Sequence, residues 1–274
     1  MFKRFSIAVS ASALVCLMNL VALGGQGGTL TEQEMILPSH DLGGLQVYNR
    51  DNSNDKLGSL DNLIIDAHSG QVLYGVLKTG LLGKLIPVPW TALGLRRTPD
   101  TDNYWMVLNK TRDQLANAPT FDSKRTDFTN AQWSQSVDNF FGVHTMARPT
   151  GTGDLTANQM VFQSSHLSDL AVHNRADNSK KLGSLENLMI NAHHGRVLYG
   201  ILDTGMGGKM IAVPWNAFQV QKKPDSEKYW LTLNKTQDEL ASAPAFDKNR
   251  VRDLTDSNWQ QQVDRFFGVQ PARQ

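Results

Sequence analysis

Short apolar runs, one alternating and the others of mixed or continuous burial, recur between turn-forming residues through 45–108, the signature of strands. Leu45–Tyr48 is a short alternating run, followed by the polar, turn-rich stretch Asn49–Asp55. Leu57–Asp66 and Val72–Leu77 are richer in β-branched and aliphatic residues. The four residues Ala67-His68-Ser69-Gly70 between them predict a tight turn with glycine at positive φ, and so a hairpin. Gly80–Gly83 reads as a loop and Lys84–Val88 as a third strand, which Pro89-Trp90 ends because proline has no N–H to donate. Tyr104–Leu108 is a further strand. Thr111-Arg112-Asp113-Gln114 then forms a capping box, which predicts a short helix that stops near Pro119. From Thr129 to Phe141 the period lengthens, placing Trp133, Val137, Phe140 and Phe141 on one side of a second helix.

The whole pattern occurs twice. Residues 36–125 align without a gap with residues 161–250, with 47 identities in 90 pairs. KLGSL at Lys56–Leu60 recurs at Lys181–Leu185, VLYG at Val72–Gly75 at Val197–Gly200, and VPW at Val88–Trp90 at Val213–Trp215. LNKT at Leu108–Thr111 recurs at Leu233–Thr236, and after one inserted residue Trp133–Val143 matches Trp259–Val269. Units of roughly 110 residues are long enough to hold their own cores, so the duplication predicts tandem domains rather than a solenoid. The expected boundaries are domain 1 at 36–143, a linker with Pro149, Gly151 and Gly153 at 144–160, and domain 2 at 161–269. The predicted fold class is mainly β with short helices (α+β): two small barrels or curled sheets related by a pseudo-two-fold axis.

Residues 1–24 have a cationic start at Lys3 and Arg4, an apolar middle and small residues before a cleavage point after Gly24, the three parts of a secretory signal. The expected location is periplasmic or secreted. Retention of the leader as a membrane anchor is the alternative, because its apolar stretch is near the ~20 residues that span a bilayer. A lipoprotein site at Cys16 is disfavoured by Val15, where a small residue is needed. The 274-residue chain carries 27 basic and 26 acidic residues, and losing the leader takes the net charge from +1 to −1. That lacks the basic field of a generic nucleic-acid binder. Cys16 is the single cysteine, so a mature chain starting at Gly25 has no disulfide, thiol nucleophile or thiolate metal site.

The ordered pieces KLGSLDNLIIDAHSGQVLYGVL, GK-IPVPW-AL and YWMVLNKTRDQLANAPTFD, with their second-copy counterparts, resemble the PRC-barrel domain. This β-barrel module is shared by the photosynthetic reaction-centre H subunit and the bacterial ribosome maturation factor. The resemblance spans nearly all of both repeats. It implies a binding or assembly module with no general catalytic residues, and no reaction-centre acidic residue can be placed here. By analogy with the H subunit, it also leaves open a membrane-proximal accessory subunit of an electron-transfer complex, provided the leader is retained.

Candidate chemistry is sparse. Of the seven histidines (His40, His68, His144, His166, His173, His193 and His194), only His68 and His193 align, both in the hairpin turn. Neighbours such as His193 and His194 are expected to diverge rather than converge on a metal. The acid beside the turn is Asp66 in one copy and Asn191 in the other, unlike a catalytic carboxylate used by both. Gly80–Lys84 and Gly205–Lys209 have the wrong spacing for a phosphate loop and are followed by strands. All six tryptophans fall into aligned pairs, which points to packing. Tyr104 and Trp105 must face opposite sides of their strand, so one lies outside its barrel core, packed under the terminal helix or between the domains. The Asn109 and Asn234 sequons each contain the threonine expected to cap a helix.

The expectation is therefore a non-catalytic, exported binding module, not an enzyme. It has no assigned catalytic, metal or cofactor residues and no cofactor. Its partner is a protein or small ligand, not nucleic acid, with a membrane only if the leader is retained and with its two domains paired intramolecularly. A histidine-dependent metal-binding protein is the remaining alternative.

Overall fold

The computed structural model describes residues 30–31, 35–80, 83–98, 101, 103–122, 130–143, 156, 160–205, 207–224, 226–248 and 251–270. The expected leader and nearly all of the 144–160 linker lie outside them. The first half contains β1 (Ile36–Pro38), α1 (Ser39–Leu42), β2 (Gln46–Asn49), β3 (Lys56–Asp66), β4 (Gln71–Thr79), β5 (Leu85–Pro89), β6 (Leu93–Arg97), β7 (Tyr104–Leu108), α2 (Arg112–Ala116) and α3 (Ala131–Phe141). The second contains β8 (Val161–Gln163), α4 (Ser164–Leu167), β9 (Ala171–Asn174), β10 (Lys181–Asn191), β11 (Arg196–Asp203), β12 (Met210–Pro214), β13 (Phe218–Lys222), β14 (Tyr229–Leu233), α5 (Gln237–Ala241) and α6 (Ser257–Phe267).

The long hairpin β3–β4 organises the first half, as β10–β11 does the second. Both long strands carry two register shifts, between Leu60 and Asn62 and between Ile64 and Ile65 in β3. Such bulges bend and coil a strand, which lets its two faces be buried by different layers. On β4, a Cβ at Gly75 would sit 2.9 Å from Leu60 and Leu93, so that side faces the interior of the curled sheet. The alternate residue Tyr74 faces the other way, edge-on to Trp133 of α3 with ring centroids 5.4 Å apart. The strand is therefore apolar on both faces, and its short run of consecutive aliphatics follows from that sandwiching. Helices α3 and α6 are capped by Asn130 and Asp256 and end on Gly142 and Gly268 in the left-handed conformation.

The expected mainly β architecture is present, but the barrels are not closed. Strands run in the order β6-β7-β2-β3-β4-β11-β10-β9-β14-β13, with β5 on β4 and β12 on β11, in a single 14-stranded sheet. The free ends β5 and β6 of one half are joined by a 3₁₀ turn at Trp90–Ala92 and do not pair. Pro89 supplies no N–H at that corner, so the chain turns through Trp90 instead of continuing a ladder. Pro214 and the 3₁₀ turn at Trp215–Ala217 repeat this corner.

The start of each repeat is attached to the other half. β1 pairs antiparallel with β10, Leu37 opposite Ile190, and β8 pairs with β3, Phe162 opposite Ile65. The Ser39 hydroxyl donates to the Asn187 side-chain oxygen at 2.8 Å, and Ser164 to Asn62 at 2.7 Å. Ile36 completes a cluster with Met189, Tyr199, Ile201, Ala212 and Val263, beneath α6. The boundaries 36–143 and 161–269 thus describe the duplication, whereas pairing hands residues 36–42 to the second half and 161–167 to the first.

Candidate functional site: the seam between the halves

The halves meet where the tips of their central hairpins cross. β4 and β11 share the pair Gln71–Arg196. Around it the Val72 N–H donates to Gly195 at 2.7 Å and the Val197 N–H to Gly70 at 2.8 Å. The Gln71 amide adds a bond to the Gly195 carbonyl at 2.8 Å. Trp90 lies across the second half's turn and donates its indole N–H to the Ala192 carbonyl at 3.0 Å; Trp215 donates to Ala67 at 2.9 Å. Both glycines are at positive φ, and a Cβ on Gly195 would lie 2.2 Å from Trp90, one on Gly70 2.7 Å from Trp215. The repeated VPW motif is thus a lock on the opposite hairpin, and the glycine it contacts is required by both backbone and proximity.

The polar residues of the turns build those turns. Asp66 is buried, with one carboxylate oxygen accepting from the His68 N–H at 3.0 Å and the other from the Ser69 hydroxyl at 2.6 Å. Asn191 accepts from the N–H groups of His193 and His194 at 3.0 and 3.1 Å through a single oxygen. An amide serves as well as a carboxylate in this side-chain turn, which explains the exchange between copies. His68, His193 and His194 are exposed. Contrary to the expected divergence, His193 and His194 pack edge to face with ring centroids 4.7 Å apart, because both N–H groups are drawn to one acceptor.

The other histidines are dispersed. His40 pairs with Asp41 at 2.8 Å and contacts Asn187; His173 contacts the Asn178 carbonyl at 2.7 Å; His166 is on the exposed side of α4. His144 lies outside the described residues. Among the described residues no three His, Cys, Asp or Glu side chains are grouped so as to hold a metal ion.

The glycine-lysine loops have a structural use. Lys84 donates to the carbonyls of Leu115 and Ala116 at 3.4 and 2.8 Å, and Lys209 to those of Leu240 and Ala241 at 3.2 and 2.6 Å. Each ammonium thereby satisfies carbonyls at the C-terminal end of α2 or α5. At the other end, Thr111 and Thr236 complete capping boxes with Gln114 and Glu239. Bonds from the Thr236 backbone N–H, then its hydroxyl, hold the Glu239 carboxyl below its ordinary value.

Trp133 and Trp259 stack edge-on against Tyr74 and Tyr199 under the terminal helices. Burial, and secondarily the Asp264 charge, pushes the Tyr199 phenol well up, and burial raises the Asp264 carboxyl. Tyr104 and Tyr229 pack against the core, and Tyr229 meets Phe162 of the exchanged strand edge to face at 5.1 Å. In the second copy the outward member is tryptophan, but it is not placed as expected for its counterpart Trp105. Trp230 lies beside His173, ring centroids 5.5 Å apart, and donates to Gln221 at 3.2 Å, on the outer sheet face rather than under a helix or at the seam. No helix among the described residues is long and apolar enough to cross a membrane.

The exchanged segments are the feature that sequence reading missed. Their trace is faint: the alignment starts ahead of the first expected strand, and Ser39 and Leu42 recur as Ser164 and Leu167.

Residues 35–115 match the family model of the PRC-barrel domain, spanning β1 through most of α2. No curated protein matches the chain.

Proposed function

We propose that this protein is a non-catalytic binding or assembly module that acts outside the cytoplasm, with its second repeat a second PRC-type domain. The observation that carries the reading is how the repeated motifs are used. Trp90 and Trp215 lock the seam, Asp66 and Asn191 shape the hairpin tips, and Lys84 and Lys209 cap helices. The aligned positions of the two copies are spent on joining the halves, shaping turns and capping helices, which is what a scaffold for another molecule needs. The leader-like residues 1–24 support export.

Two measurements on protein from its native source test this. Mass spectrometry of the mature N-terminus is expected to give a start at Gly25; an intact Met1 overturns export and favours a membrane-proximal role. Chemical crosslinking in the native extract is expected to trap one macromolecular partner in stoichiometric yield. Recovery of the chain uncrosslinked, with a stoichiometric metal by elemental analysis, overturns the reading in favour of a metal-binding protein.

A further inference from the structure

The chain passes between the two halves at two short crossovers. At the first, the Gly43 N–H still bonds Ser39 in the segment held by the second half, while the Gly44 N–H bonds Leu60 of the first half at 2.7 Å. At the second, the Ser168 N–H bonds Ser164 at 3.1 Å, while the Asp169 N–H bonds Leu185 of the other half at 2.7 Å. The aligned residues Gly44 and Asp169 both take positive φ, 95° and 71°. Glycine does so freely. Aspartate does so more readily than most side chains but at some cost, and Asp169 is the one non-glycine residue with positive φ among the described residues.

We propose that the crossover Ser168–Leu170 is a hinge, and that a second copy of this chain occupies the seam when it opens, giving a reciprocally exchanged dimer. Opening at Ser168–Leu170 leaves β8 on β3 within one chain, and every other contact across the seam joins residues before the hinge to residues after it, so the second half of another copy makes the same set: β1 on β10, Trp90 on Ala192 and Trp215 on Ala67. The seam is therefore equal in monomer and dimer, and only the crossover differs. Straightening it releases the left-handed residue at the cost of one backbone bond. Left-handed strain corresponds to a factor of roughly 5–30 in an equilibrium constant for an ordinary side chain and to less for aspartate, and the dimer relieves two such residues. Short hinges under strain favour this exchange. Gly44 carries no comparable strain, so the second crossover, not the first, is the one that opens. The proposal stands whatever the module binds.

The test compares the full chain with Asp169→Gly and Asp169→Val, each refolded from denaturant at several concentrations and sized by chromatography with light scattering. Wild type is expected to yield a dimer whose share grows with refolding concentration. Asp169→Val, unfavourable at positive φ, raises the dimerisation constant at least about tenfold, and Asp169→Gly lowers it by a smaller factor. Should Val prevent folding, Asp169→Ala takes its place with the same direction. Mixing isotopically light and heavy dimers under native conditions is expected to give no mixed species within hours, since exchange requires the seam to break. Absence of dimer in the Val and Ala variants, equal dimer content across residue 169 variants, or mixing within minutes each overturns the proposal.

Discussion

The indole N–H of Trp90 reaches across the molecule to the carbonyl oxygen of Ala192, 102 positions later in the chain, at 3.0 Å. Its aligned partner Trp215 makes the same bond to Ala67. Both tryptophans are buried, so removing the donor strands a carbonyl in a dry seam. Trp90→Phe is expected to destabilise by about 1–3 kcal/mol, and Trp215→Phe by a similar amount, in chemical denaturation. Trp→Phe variants indistinguishable from wild type would mean that the seam is not under load.

Glycine substitutions separate conformational strain from contact. Gly142→Ala ends α3 with a left-handed alanine in open space and is expected to cost about 1 kcal/mol. Gly195→Ala adds to the same strain a methyl 2.2 Å from Trp90, and about 2–5 kcal/mol is expected. Equal losses in the two thermal melts would contradict the close approach.

Lys84→Met and Lys209→Met remove the ammonium from the ends of α2 and α5. Each is expected to cost about 0.5–1.5 kcal/mol, nearly additively, because the two sites lie in separate halves. A loss that disappears at high salt would identify a screened surface charge rather than a helix cap.

Asp264 supplies a pH signature. Burial raises its folded-state carboxyl, so the protonated form suits the folded state better than the ionised one. Its contribution is thus most favourable at acid pH and is lost as pH rises through the ordinary carboxylate range to the raised folded value. Asp264→Asn is expected to raise the unfolding free energy at pH 7 by less than about 1 kcal/mol given partial solvent screening, read as a higher melting temperature, and to show no gain near pH 3. A gain that persists undiminished at pH 3 would assign the effect to something other than ionisation.

How far the sequence could be read follows from the range of each interaction. The hairpin, its tight turn, the capping boxes at Thr111 and Thr236 and the terminal helix depend on neighbours within a few positions, and the structure has them. The strand Leu93–Arg97 is not legible in the sequence, because its own side chains alternate weakly and it is the pairing with Tyr104–Leu108 that makes it a strand. The placement of Trp230 was misjudged for a related reason: strand alternation says that one of two neighbours faces outward, but what covers it depends on β9 and β13.

By itself the sequence determined that this protein is a duplicated, mainly β chain, and which residues would shape its turns and cap its helices, because those effects are local and act twice at one spacing. Only the tertiary structure decided that the two sheets join instead of closing, that each repeat's first strand completes the other half, and that Trp90 and Trp215 lock opposite hairpins. A residue's pairing partner across a pseudo-two-fold axis leaves no local mark, since in a duplicated sequence the same groups stand ready in either copy, and only packing in three dimensions selects between them.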